Sequence, residues 1–83
     1  MEIIKFAGRN CVKCRVLDQV FNHVDLPCEV AVRYVEDEST EKFFEEGVTS
    51  LPTLMFKNAT DVIKLEGAIT PKQINEALAK IKE

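Results

Sequence analysis

No apolar run in the sequence approaches the roughly 20 residues that a membrane-spanning helix requires. Its start, "MEIIKFAGRN", also lacks the basic-then-apolar plan of a signal peptide. These two absences lead to the expectation of a cytoplasmic protein without a membrane partner. Basic residues are neither in excess nor clustered. Eleven Lys and Arg against 14 Asp and Glu leave a formal net charge of −3, which argues against a polyanion partner such as nucleic acid. Three cysteines are an odd number and too few for the disulfide framework of a small secreted domain, so at most one bridge forms internally. In a reducing cytosol such a bridge is transient and catalytic more often than structural. Internal repeats, linkers and low-complexity segments are absent. With 83 residues, 1–83 is expected to be one domain, burying roughly 60–65% of its unfolded surface.

What is present alternates between strand and helix signals. "EIIKF" (2–6) has strand composition and "AGRN" leads from it into a helix. From Cys11 to Val24, residues Val12, Val16, Leu17, Val20, Phe21 and Val24 recur at helical spacing, predicting one buried face. "EVAVRYV" (29–35) is rich in β-branched residues and reads as a strand buried on both faces. "EDESTEKFFEEG" (36–47) predicts a short acidic helix that stops at Gly47, with Phe43 and Phe44 divided between core and surface. "TLMFK" (53–57) and "DVIKLEG" (61–67), joined by the turn "NAT", predict a hairpin. "TPKQINEALAKIKE" opens with a Thr70 cap, Pro71 at the first helical position and Gln73 at capping-box spacing. Its apolar stripe is Ile74, Ala77, Leu78 and Ile81. The order is β-α-β-α-β-β-α, a four-stranded mixed sheet with three flanking helices. Two β-α-β crossovers predict parallel strands in the middle and an antiparallel last strand at an edge.

The chemistry concentrates in "RNCVKCRV" (9–16). At the first turn of a helix, Cys11 and Cys14 lie about 300° apart round the axis and share one face. The unpaired N–H groups of the helix N-terminus favour a thiolate, and Arg9, Lys13 and Arg15 add positive potential. Cys11, the outer one, is the expected nucleophile, and Cys14 is the resolving cysteine that attacks the mixed disulfide. Two other readings compete. The pair can be two small buried hydrophobes, which its junction position and basic flanks disfavour. It can also be part of a zinc site completed by Cys28 and His23, for which the usual second closely spaced pair is missing. No metal is therefore expected. Cys28 reads as a silent buried thiol and His23 as a surface residue near a helix end.

The second half, "GVTSLPTLMFKN" followed by "LEGAITPKQINEAL", resembles the C-terminal half of thioredoxin, with Pro52, Thr53, Phe56, Lys57, Asn58, Gly67 and Ala68 in matching positions. With the C-x-x-C at 11–14, the resemblance to the thioredoxin/glutaredoxin superfamily covers nearly the whole chain. It lacks the extra N-terminal strand and helix of full-length thioredoxin. The resemblance implies a cis Leu51-Pro52 bond facing the cysteines, with Ser50, Leu51, Pro52 and Gly67 binding substrate. It implies thiol-disulfide exchange on protein disulfides. No cofactor is expected beyond the Cys11–Cys14 disulfide itself, and electrons come from a flavin-dependent thioredoxin reductase or from glutathione.

Departures are specific. Asn10 replaces a tryptophan, and Val12-Lys13 replaces the Gly-Pro between the cysteines. Lys5 stands six before Cys11, where thioredoxin has a buried aspartate. It is expected either to favour the thiolate electrostatically, together with Arg9 and Lys13, or to be a surface lysine on an edge of the strand. Glutaredoxins suit the short length, and Arg9 with "TSLP" fits part of their glutathione site. However, "EGAITP" has a lone glycine with no following aspartate. A glutathione-dependent enzyme is thus the first alternative, and a non-catalytic metal-binding or docking module the second.

Overall fold

In the computed structural model, which describes residues 1–81, four strands form one sheet in the order β2-β1-β3-β4. They are β1 (Glu2–Ala7), β2 (Val30–Tyr34), β3 (Thr53–Lys57) and β4 (Val62–Glu66). The helices are α1 (Val12–Val20), extended by a 3₁₀ turn at Phe21–His23, α2 (Thr40–Glu45) and α3 (Pro71–Lys80). The predicted element order and mixed sheet are observed. Lys82 and Glu83, the end of the segment read as the last helix, lie outside the described residues.

β1 is paired on both sides, so its residues are buried from Ile3 to Ala7. Alternation along the strand divides the core in two. Ile3 joins Leu17, Leu54, Phe56, Ile74 and Ile81 beneath α1 and α3. Ile4 and Phe6 join Phe43, Val48 and Met55 beneath α2, where Phe6 and Phe43 meet edge to face at 5.1 Å.

The direction of β3 corrects an expectation. β2 is parallel to β1, but β3 is antiparallel to it, so the second crossover gives no parallel strand. The reason lies in α2. Its six residues, about 9 Å long, lie in a connection, residues 35–52, that begins and ends at the same end of the sheet. β2 ends at Tyr34 beside Ala7, and β3 begins at Thr53 beside Phe6, at the same end of β1. The β3–β4 hairpin and the edge position of β4 are as expected.

β2 is not buried on both faces. It lies at the other edge, and Val32 is exposed. Arg33 covers its inner side instead, stacked 4.8 Å over Phe6 and held by Glu38 and Glu46. The buried stripe of α1 is also narrower than predicted, since Val12 and Val16 face outward while Cys14 and Leu17 are buried. Val12 and Cys14 are 200° apart round a helix, so one face cannot hold both. α2 is shorter than 36–47 because its cap is Ser39, whose side chain accepts from the Lys42 N–H. Phe43 is buried and Phe44 exposed. α3 has the full capping box: the Gln73 N–H donates to Thr70 Oγ1 and the Thr70 N–H to Gln73 Oε1.

Candidate active site

Gly8, Arg9 and Asn10 carry the chain from β1 into α1, and Cys11 is the helix N-cap. Its backbone is extended, and its Sγ accepts a hydrogen bond of 3.1 Å from the Cys14 N–H. Sulfur here takes the place that a serine or aspartate oxygen usually fills, satisfying one of the free donors of the first turn. A disulfide joins Cys11 and Cys14, whose Cα atoms are 5.2 Å apart. Cys11 is half-buried and Cys14 only 3% exposed. The pair is therefore asymmetric, with one sulfur within reach of a partner and one behind it.

The Leu51-Pro52 peptide bond is cis. Gly8 shows how closely this loop approaches the pair. A Cβ at Gly8 would sit 3.3 Å from Leu51 Cδ1 and 3.7 Å from Cys11 Cβ, so Leu51 and Cys11 flank the same glycine. The loop is tied down by the Thr53 hydroxyl, which donates to the Ser50 carbonyl at 2.7 Å. The Gly67 N–H donates to the Pro52 carbonyl at 3.0 Å, which draws the end of β4 against the loop. Gly67 has φ of +71°, a conformation that glycine adopts without strain. Ser50, Leu51, Pro52 and Gly67 are thus brought together, with Leu51 and Cys11 both against Gly8.

Two apolar depressions flank the site. One, of about 230 Å³, is lined by residues including Val35, Phe44, Val48 and Leu51. The other, of about 310 Å³, runs between Val16 and Val20 of α1 and the segment Ala68–Pro71, with Lys13 at its rim.

The basic residues separate into three situations. Arg9 forms a two-pronged pair with Asp37, at 2.7 and 2.9 Å, and stacks 4.3 Å over Tyr34. The hydrogen bond to Asp37 raises the Arg9 guanidinium and lowers the Asp37 carboxyl relative to their ordinary values. The charge of Arg9 is compensated within that pair. Lys13 and Arg15 are exposed and have no ionic partner among the described residues. Lys5 is neither exposed nor on an edge. It lies on central β1, 3% exposed, with Nζ 2.5 Å from Asp18 Oδ1 on α1. The surface-lysine reading fails because Lys5 is buried: β1 has a neighbour on each side and its α1 face is covered.

Asp18, Tyr34 and Glu36 were not singled out from the sequence. Glu36 accepts from the Arg9 N–H at 3.1 Å. Asp18 follows Cys11 and Cys14 at i+7 and i+4, a helical spacing that places it on the cysteine side. Cys28, half-buried, donates to the Met1 carbonyl at 3.6 Å, at the start of β1, whereas the pair follows the strand's other end. His23 is exposed beyond the far end of α1. No cluster of three potential metal-ligating side chains occurs among the described residues.

A cysteine pair at the N-terminus of the helix after β1, faced by a cis-proline loop on a sheet ordered β2-β1-β3-β4, defines the thioredoxin-like class of α/β proteins. A family model described as a thioredoxin domain matches residues 1–79, and the chain belongs to that family. Chloroplastic thioredoxin z is 28% identical with a TM-score of 0.67, the match covering 95% of this chain and 75% of that one. A Malassezia sympodialis thioredoxin is 26% identical with a TM-score of 0.69, over 94% and 71% of the two chains. A Fasciola hepatica thioredoxin, 22% identical with a TM-score of 0.68 over 96% and 79%, shares the fold. No curated protein matches the chain.

Proposed function

We propose that this protein is a thiol-disulfide oxidoreductase that reduces or exchanges disulfides in proteins. The observation that supports this reading best is the disulfide between half-buried Cys11 and buried Cys14, with Leu51 of the cis-proline loop approaching Gly8, which Cys11 also flanks. In the reduced enzyme the Cys11 thiolate attacks one sulfur of a substrate disulfide. The substrate S–S bond breaks, a Cys11–substrate bond forms and the first substrate sulfur leaves as a thiolate. Cys14, as thiolate, then attacks Cys11 Sγ. The mixed disulfide breaks, the second substrate sulfur leaves, and the Cys11–Cys14 bond closes. Two electrons pass from the pair to the substrate, whose two thiolates take up protons from solvent.

The loop has the complementary task. Leu51 lies outside the strands, and among the described residues no backbone hydrogen bond of the turns and loops engages its N–H or C=O. An extended substrate segment can pair with them as an added strand, with Ser50, Pro52 and Gly67 shaping the contact. Exposed Lys13 supplies positive potential beside Cys11, whereas the charge of Arg9 is taken up by Asp37 in the turn after β2. A flavin-dependent thioredoxin reductase is the proposed electron donor, and a reducing cytoplasm the proposed compartment.

The test is a reductant assay on the oxidised protein. Reduction by a thioredoxin reductase with its nicotinamide donor, followed by turnover of a protein disulfide, is expected. Reduction by glutathione alone would instead favour the glutaredoxin-like reading. Tight stoichiometric zinc with no exchange would favour the metal-binding module and overturn the proposal.

A further inference from the structure

Lys5 is the one charged side chain buried among the described residues, and neither the sheet nor the cysteine chemistry set out above requires it. Alternation along β1 gives its position to the face beneath α1, where Ile3 packs in the core. Burying an ammonium there is costly, and its ion pair is a weak structural reason for keeping it, since buried pairs are often replaceable by apolar residues without loss. The pair is also lopsided. The Lys5 side chain is 4% exposed and that of Asp18 60%, so water screens the carboxylate much more than the ammonium.

A cavity of about 120 Å³ explains what Lys5 faces. Its lining includes Lys5, Cys14, Asp18, Arg9, Arg15 and Tyr34. β1 contributes Lys5, α1 contributes Cys14, Arg15 and Asp18, and β2 contributes Tyr34. Arg9, from the intervening loop, is neutralised by Asp37 and hydrogen-bonded through its N–H to Glu36, and Arg15 is exposed. Lys5 is therefore the one buried cation lining the cavity that Cys14 also lines.

We propose that Lys5, anchored by Asp18, is the counter-charge that holds the buried Cys14 as a thiolate for the resolving step. The inference rests on the exchange reading above and assigns its second step. Burial by itself opposes ionisation of Cys14 and would leave it a poor nucleophile near neutral pH. The ammonium offsets this through the cavity. The thiol proton leaves by way of the exposed Asp18 carboxylate to solvent, and the sulfur's electron pair forms the bond to Cys11 as the substrate sulfur departs. Lys5 is a positioning charge that itself forms no bond.

The experiment measures Cys14 ionisation and the two chemical steps separately. In a Cys11→Ser, Cys28→Ala background, thiolate absorbance titrates Cys14 alone. Lys5→Met is expected to raise its midpoint by about one pH unit, cutting the thiolate fraction at pH 7 about ten-fold. Lys5→Arg is expected to return it towards the starting value. Asp18→Asn, which keeps an Oδ1 acceptor for Lys5 Nζ, should lower the midpoint by removing the opposing charge. In stopped flow with an aromatic disulfide, both cysteines present, Lys5→Met should slow release of the second thiol roughly three-fold at pH 7. The stronger nucleophilicity of the more basic thiolate recovers the remainder. The deficit should vanish above both midpoints, and the first release should be unchanged.

A Cys14 midpoint indifferent to Lys5→Met, a shift not reversed by Lys5→Arg, or a midpoint unchanged or raised in Asp18→Asn would overturn the assignment. The two readings fail separately. Expected midpoint shifts without turnover of protein disulfides would sink the exchange reading alone, and turnover with immovable midpoints would sink this inference alone.

Discussion

At the scale of single residues, the division of labour between the cysteines follows from burial. Cys14→Ser should accumulate mixed disulfides through Cys11 when incubated with a disulfide-bonded protein, whereas Cys11→Ser should lose attack altogether, at least a hundred-fold in rate. Peptide mass spectrometry of the trapped adduct checks both, and equal residual exchange in the two variants would refute the roles. These two residues were legible in the sequence because a three-residue spacing at a helix start is local information. Lys5 was visible only through the resemblance, as the residue six before Cys11 where thioredoxin has a buried aspartate. Whether it lay at an edge or in the centre depended on which strands flank β1. Asp18 was harder still, since a lone acid in an amphipathic helix is ordinarily a solvated one.

At the scale of elements, local signals set the boundaries of α3 and the end of α2. Thr70→Ala removes the acceptor of the Gln73 N–H and should lower stability by about 1 kcal/mol, read as a smaller urea midpoint at unchanged slope. Gly47 closes α2 with φ of +82°. Gly47→Ala should cost about 1–2 kcal/mol by the same measurement, because an L side chain is disfavoured in that conformation. The new Cβ would also approach Lys64 Nζ at 2.9 Å, but that is the end of a flexible chain and can move aside. Helix and hairpin signals survived in the structure because caps, turns and alternation act over a few residues. The exposure of Val12 and Val16 did not follow from periodicity, which gives an angular pattern without showing which arc meets the sheet.

At the scale of the whole molecule, charge ties the β2 edge to α2 and to the loop before α1. Glu38 and Glu46 are held below the ordinary carboxyl range by hydrogen bonds from Arg33, and Asp37 by those from Arg9. Their folded-state values lie below their unfolded ones. The stability they contribute is therefore fully present above the unfolded value, roughly pH 4.3 for glutamate, and is lost as pH falls below it towards the folded values. Urea unfolding at pH 7 and pH 3.5 should show this loss in the parent chain. Glu46→Gln should be less stable at pH 7 yet lose less on acidification, and an identical loss in both would refute the assignment.

Spacing, capping and alternation by themselves determined the order of the elements, the cysteine pair at a helix start, the hairpin and the box that opens the last helix. Each depends on residues a few positions apart. Tertiary structure alone decided that β3 runs against β1, that Leu51 meets Cys11 across Gly8, and that Lys5 lies buried beside Cys14 rather than at an edge. Those outcomes depend on which faces pack together. A connection through α2 that begins and ends at one end of the sheet and a strand flanked on both sides settle them, and no local pattern encodes either.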